Sequence, residues 1–96
     1  MPRKYHWKNQ ETRELFQAIL ALKNADEAER FFRDLCTISE ISEMAERWEV
    51  AKLLKIKTPY RIISKKTGSS TATITRIAYW LHHGMGGYER ALERMK

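Results

Sequence analysis

The sequence predicts an all-α protein on three observations. Apolar residues recur three and four positions apart along most of the chain, no useful length alternates apolar and polar residues, and the only prolines stand at positions 2 and 59. Ninety-six residues, 43% hydrophobic and 31% charged, suit one folded domain. That domain, residues 1–96, divides into a basic arm (1–8), dimerisation helices (9–56), a helix-turn-helix (58–82) and a C-terminal helix (87–96).

Each helix has a local cause. Leu15, Phe16, Ile19, Leu20 and Leu22 share helical spacing, so a first helix is expected from about Asn9 to Lys23. Asn24 and Glu27 have the separation of a capping box and restart the chain as a second helix carrying Ala28, Phe31, Phe32 and Leu35. Thr37 and Glu40 repeat the device. Behind them Ile38, Ile41, Met44, Ala45, Trp48, Ala51 and Leu54 form one broad apolar face, predicting a third helix to about Lys55.

Thr58-Pro59 is a start signal, with threonine as cap and proline at the first helical position, where an N–H would have no partner. This short fourth helix carries Tyr60, Ile62 and Ile63 and stops at Gly68, a residue free to take the left-handed conformation that ends helices. Ser69-Ser70 can cap a fifth helix through Ile74, Ile77, Trp80 and Leu81. Gly84-Met85-Gly86-Gly87 breaks it, and Tyr88 to Lys96 form the last helix, with Ala91, Leu92 and Met95 inward. The first three helices carry more apolar surface than a chain this small buries alone, which predicts a symmetric homodimer, with helices interlaced between protomers as one solution.

Composition excludes several classes. No apolar run approaches the roughly 18 to 20 residues that cross a bilayer, and the basic N-terminus lacks the apolar stretch of a signal peptide, so a cytoplasmic protein is expected. The lone Cys36 rules out an intramolecular disulfide, a four-cysteine zinc site and a CxxC pair; a small core residue is expected there. Charge is unevenly placed. Residues 1–49 hold 8 basic and 10 acidic side chains, whereas residues 50–88 hold Lys52, Lys55, Lys57, Arg61, Lys65, Lys66 and Arg76 and no acid. Such a stretch carries a positive potential whatever its fold, and phosphate polymers are the commonest partners of such fields. A merely solvated basic face is the bland alternative.

Inside that stretch, residues 59–77 read as a short helix, a glycine turn and a second helix. With Gly68 as the turn residue, small Ser64 falls where the helices approach, and Ile63, Ile74 and Ile77 fall at packing positions. The exposed start of the second helix is then Ser69, Ser70, Thr71, Ala72, Thr73 and Thr75. Short hydroxyl and methyl side chains let a helix approach base edges, and N-terminal amides meet phosphates. Arg61, Lys65, Lys66 and Arg76 complete the expected DNA-contacting set, holding the backbone on either side. Ser69 departs from the pattern, since many helix-turn-helix motifs place an apolar residue there. Helix pairs with a glycine turn also serve as plain packing units.

At these residues the sequence resembles the Trp-repressor superfamily, and specifically the TrpR-like YerC/YecD family of small bacterial proteins. Ala72-Thr73-Ile74-Thr75-Arg76 matches the start of the tryptophan repressor's recognition helix, and Gly68 its turn glycine. Leu35-Cys36-Thr37 and the helix from Glu40 to Leu54 resemble the repressor's Leu-x-Thr segment and long central helix. The broad resemblance covers most of residues 12–83, and the closer one nearly the whole chain. It implies a six-helix, intertwined homodimer that binds double-stranded DNA sequence-specifically as a transcriptional regulator, with repression the expected action, and with contacts at positions matching Arg61, Ser70, Thr71, Ala72 and Thr75.

The resemblance also marks an effector pocket. Thr37, Arg47, Thr73 and Arg76 match residues that hold tryptophan in the repressor, but Ile77 replaces a glycine and Trp80 replaces the serine that receives the amino group. Ile77 and Trp80 take up volume the amino acid needs, and a polar partner is lost, so no tryptophan binding is expected. Another small effector stays open, as does a pocket filled by the chain's own side chains.

No cofactor and no metal are expected. His82 and His83 are adjacent, about 100 degrees apart on a helix, and cannot easily share an ion. Tyr79, Trp80 and Tyr88 read as packing residues. Tyr5, His6 and Trp7 with Arg3, Lys4 and Lys8 form an arm that either reaches DNA, wraps a partner subunit or frays. An enzyme is not expected, since no nucleophile elbow or glycine-rich phosphate loop is present and the acids avoid the basic half. The rival is a helical interaction protein whose basic face meets an acidic protein or RNA. Duplex RNA is disfavoured because a helix cannot enter its deep, narrow major groove.

Overall fold

The computed structural model describes residues 7–95, in which six helices and no strand occur: α1 (Gln10–Leu20), α2 (Ala25–Leu35), α3 (Ile38–Lys55), α4 (Tyr60–Thr67), α5 (Thr71–His83) and α6 (Gly87–Arg94). The expected arm falls largely outside the described residues; within them, the Lys8 ammonium lies 5.5 Å from the Trp7 ring centroid. The chain divides into two compact units, residues 1–37 and 38–96. By its contacts within the chain α3 belongs to the second unit, packing on α4, α5 and α6.

In the first unit both helices start on side-chain caps. Asn9 Oδ1 accepts from the Thr12 N–H at 2.9 Å and Thr12 Oγ1 accepts from the Asn9 N–H at 3.0 Å, the reciprocal arrangement that fixes where α1 begins. α1 ends at Leu20 rather than Lys23: the Ala21 N–H is shared between the Gln17 and Ala18 carbonyls, and Leu22 bonds back to Ile19, a tightened last turn. Asn24 Oδ1 accepts from the Glu27 N–H at 2.9 Å, and Glu27 Oε1 accepts from the Lys23 N–H at 2.9 Å. On α2, Phe31 and Phe32 meet edge to face with centroids 5.7 Å apart. Neither helix holds a buried residue in the single chain. Cys36, expected in the core, is instead half-buried at the end of α2, its carbonyl accepting from Arg33.

The second unit has its own core. Val50, Ala51 and Leu53 of α3, Ile63 of α4 and Ile74 and Ile77 of α5 are buried together, with Leu54 and Tyr88 packed against them. Each fully buried aliphatic side chain contributes about 1.5–3 kcal/mol. The buried face of α3 differs from the apolar stripe read in sequence. Ala51 alone of that stripe is buried, while Ile38, Met44 and Ala45 are exposed. The first half of α3 therefore presents apolar residues outward, and only its second half carries the core.

The corners are set by backbone conformation. After α3, Lys57 adopts φ 63°, the Lys57 N–H donates to the Leu54 carbonyl and the Thr58 N–H to that of Leu53, a left-handed helix end made without glycine. Thr58 does not cap α4 as expected; Pro59 itself occupies the cap position in an extended conformation, with no side-chain cap bond. Gly68 ends α4 at φ 80°. Gly84 ends α5 where a Cβ would stand 2.4 Å from the Trp80 carbonyl oxygen, so only glycine fits. On α6, Tyr88 stacks on Trp48 of α3 with centroids 6.4 Å apart, and burial pushes its phenol pKa upward, opposed by the charge of Arg47. Ala91 and Leu92 are half-buried, but Met95, expected inward, is exposed because α6 ends at Arg94. An apolar recess of about 460 Å³ remains in this unit, lined by Trp48, Leu53, Ile56, Leu92 and Met95 among others.

Candidate nucleic-acid interface

The turn between α4 and α5 is built from small polar side chains that satisfy the backbone. The Gly68 N–H donates to the Ser64 carbonyl at 2.8 Å and Ser64 Oγ donates to the Ser69 carbonyl at 2.8 Å. Thr67 Oγ1 donates to the Ile63 carbonyl and accepts from the Ser69 N–H at 3.1 Å. Ser70 then caps α5, accepting from the Thr73 N–H at 3.1 Å while its hydroxyl donates to Thr73 Oγ1. Small Ser64 thus sits where the helices approach because its hydroxyl is used there.

α5 is two-faced. Ile74, Ile77 and Leu81 are buried, whereas Ser70, Thr71, Ala72, Thr75 and Arg76 are exposed along its first turns. Thr73 is half-buried, its side chain engaged by Ser70. Arg61, Lys65 and Lys66 on α4 are exposed. Among the described residues none of these three, nor Arg76, is in an ion pair, while Lys52 pairs with Glu49 at 3.2 Å and Lys55 with Glu89 at 3.8 Å. The positive charge of residues 50–88 that is left outside ion pairs therefore lies on Lys57 and on the helix-turn-helix.

Ser69 departs from the expected exposed row. It is 3% exposed, and its hydroxyl donates to Glu46 Oε2 of α3 at 2.5 Å, so it is a joint inside the unit and is not available to an outside ligand. Glu46 is the residue the sequence reading missed. No local pattern marks it, since its partner lies 23 positions away.

The residues matching an effector pocket are not all alike. Ile77 is 1% exposed within the core beside Val50, Ala51 and Ile74, so its branched side chain is absorbed in packing. Trp80 is half exposed and lines a shallow recess with Gly84, Met85, Gly87 and Tyr88. Arg47 and Arg76 are exposed, and Thr37 belongs to the first unit. At the end of α5, His83 packs against Tyr79 with centroids 5.0 Å apart, and the described residues hold no cluster of three or more metal-binding side chains. No helix among the described residues is long and apolar enough to cross a membrane.

Comparison with known proteins agrees with this architecture. A family model described as Trp repressor protein matches residues 10–96. The uncharacterized protein YerC of Bacillus subtilis (strain 168) is 47% identical over 89 residues, covering 93% of this chain and 86% of that protein. The crystal structure of a TrpR-like protein from Eubacterium eligens ATCC 27750 is 51% identical, with a TM-score of 0.88 over 92% of this chain and 91% of the other. A second crystal structure, of a candidate Trp repressor from Staphylococcus aureus, is 42% identical, with a TM-score of 0.88 over 93% of this chain and 89% of the other.

Proposed function

The chain belongs to the Trp repressor family, and from that premise we propose that it is a sequence-specific, DNA-binding transcriptional repressor acting as a cytoplasmic homodimer. The observation that carries the proposal is the division of α5 into a buried isoleucine face and an exposed row of Ser70, Thr71, Ala72, Thr75 and Arg76, flanked by the unpaired cations Arg61, Lys65 and Lys66. Side chains this short let the helix backbone approach the floor of a B-DNA major groove. The flanking cations bind phosphate without regard to sequence.

A dimer follows from the apolar surface left on a single chain. Phe16, Leu20 and Leu35 in the first unit and Ile38, Met44 and Ile56 in the second are all exposed, as is the recess beside Trp48. A second copy covers such surface in a closed, two-fold arrangement. Tryptophan is not the effector in this reading, because Ile77 occupies core volume where the repressor has glycine. Calorimetric titration with L-tryptophan is expected to show no binding in the micromolar range.

The test is selection of bound sequences from a random duplex pool. A palindrome with half-sites about one helical turn apart is expected. Arg61→Ala should weaken all duplexes alike and flatten the salt dependence by about one counterion, whereas Thr71→Val should change the selected bases. Enrichment of no duplex, with salt-sensitive retention of RNA or acidic protein instead, overturns the reading.

A further inference from the structure

The isoleucines of α5 hold that helix against α3 and α4 at its middle. Ile74 and Ile77 are both fully buried in the core formed with Val50, Ala51, Leu53 and Ile63. Hydrophobic contact has no direction, so these side chains fix how close α5 lies but not the angle at which its first turn projects. A directional contact near the N-terminus is needed for that. Such a contact to α3 comes from Ser69, the residue just before the Ser70 cap.

Ser69 is the one buried polar residue among the described residues, and each of its polar groups is used. Its N–H donates to Thr67 Oγ1, its carbonyl accepts from Ser64 Oγ, and its hydroxyl donates to the Glu46 carboxylate. The first two bonds are local to the turn. The third ties the turn to α3 and is of the hydroxyl-to-carboxylate kind, stronger than a bond between neutral groups. With Ile77 filling the core beside it, the head has both its distance and its angle set by side chains of the same chain.

We propose that Glu46 and Ser69 are a positioning pair that fixes the angle of the DNA-reading helix, so that the head is held ready by an internal contact and needs no small-molecule effector. This rests on the DNA-binding reading above. Neither residue touches DNA in it; both act through Ser70 and the first turn of α5.

The test uses the full-length protein, refolded from denaturant to strip any carried molecule, with the selected duplex and an unrelated duplex of equal length. Wild type is expected to bind the selected site fully without additions. Ser69→Ala, which leaves the charge unchanged, should lower affinity for the selected site about tenfold and affinity for the unrelated duplex less than twofold. Glu46→Ala should lower the ratio of the two affinities as much, the double variant no further, and Glu46→Gln, which keeps an acceptor oxygen, should restore most of it. Amide exchange should quicken at residues 70–73 in Ser69→Ala and stay unchanged at residues 77–81.

Equal loss on both duplexes, additive effects of the two substitutions, or unchanged exchange at residues 70–73 overturns the pair. So does a refolded wild type that recovers site binding only when a small-molecule extract is added. If wild type selects no duplex at all, the DNA reading itself fails, and unchanged or quickened exchange in Ser69→Ala still decides whether Glu46 fixes the start of α5.

Discussion

Residues 7–37 and residues 38–95 have similar helix-forming signals but opposite tertiary status. The first unit has side-chain caps on both helices, yet no residue of α1 or α2 is buried in the single chain. The second mixes a side-chain cap at Ser70 and a glycine end at Gly68 with a proline start that has no side-chain cap and a non-glycine helix end, yet holds the core of Val50, Ala51, Leu53, Ile63, Ile74 and Ile77. Good caps decide where helices begin; they do not bury surface. Short helices need packing to persist, and the proposed dimer would supply that packing for the first unit.

The largest test of that contrast is a cavity in the second unit. Ile63→Ala or Ile74→Ala should cost about 2–5 kcal/mol in chemical denaturation, independently of protein concentration. A loss below about 1 kcal/mol would mean that this core is not what holds residues 38–95 together.

Next in size is the test of the proposed dimer at the first unit. Phe32→Asp is expected to weaken self-association at least about a hundredfold, read by sedimentation equilibrium, because a charge would have to enter an apolar contact. A variant that stays dimeric at wild-type concentrations would place the partner surface elsewhere.

Smaller effects come from Gly68 and Lys57, two of the three left-handed residues of the second unit among the described residues. Gly68→Ala should destabilise by about 1–2 kcal/mol, since a Cβ is disfavoured at φ 80°. Lys57→Gly should stabilise by up to about 1 kcal/mol for the converse reason at φ 63°. Opposite signs in thermal unfolding would show that these corners, unlike the capped starts of α1 and α2, are set by backbone strain tolerance.

The smallest effect is a pH dependence confined to the second unit. Tyr88 has its pKa raised above the ordinary 10.0, with burial the larger influence and Arg47 opposing it. The unfolded chain then loses this proton before the folded one does. The contribution is complete below pH 10 and is lost as pH rises through the folded value. Tyr88→Phe should flatten the alkaline limb of a stability–pH curve and leave the neutral region unchanged.

Much of this molecule was legible in local patterns. The six helices, the Asn24 cap, the Ser70 cap, the left-handed Gly68 and the buried Ile63, Ile74 and Ile77 all follow from signals within a few residues of each site, where propensity, capping and periodicity act. Thr58 misled because threonine before proline reads as a cap, whereas the chain turns through a left-handed Lys57 and places Pro59 itself at the cap position. The stripe on α3 misled for another reason: amphipathic spacing shows that a face is apolar without saying which neighbour covers it, and of that stripe the intramolecular core buried only Ala51, adding Val50 and Leu53 from outside it.

The sequence by itself determined an all-α chain with a basic helix-turn-helix and the side chains its reading helix displays, because those depend on interactions over one or two turns. Only the tertiary structure decided that Ser69 turns inward to Glu46, that Ile77 is spent on the core, and that, among the described residues, the cations of α4 and α5 stay out of ion pairs while Lys52 and Lys55 enter them. Burial and pairing join residues more than twenty positions apart, and no local pattern encodes which distant group will arrive.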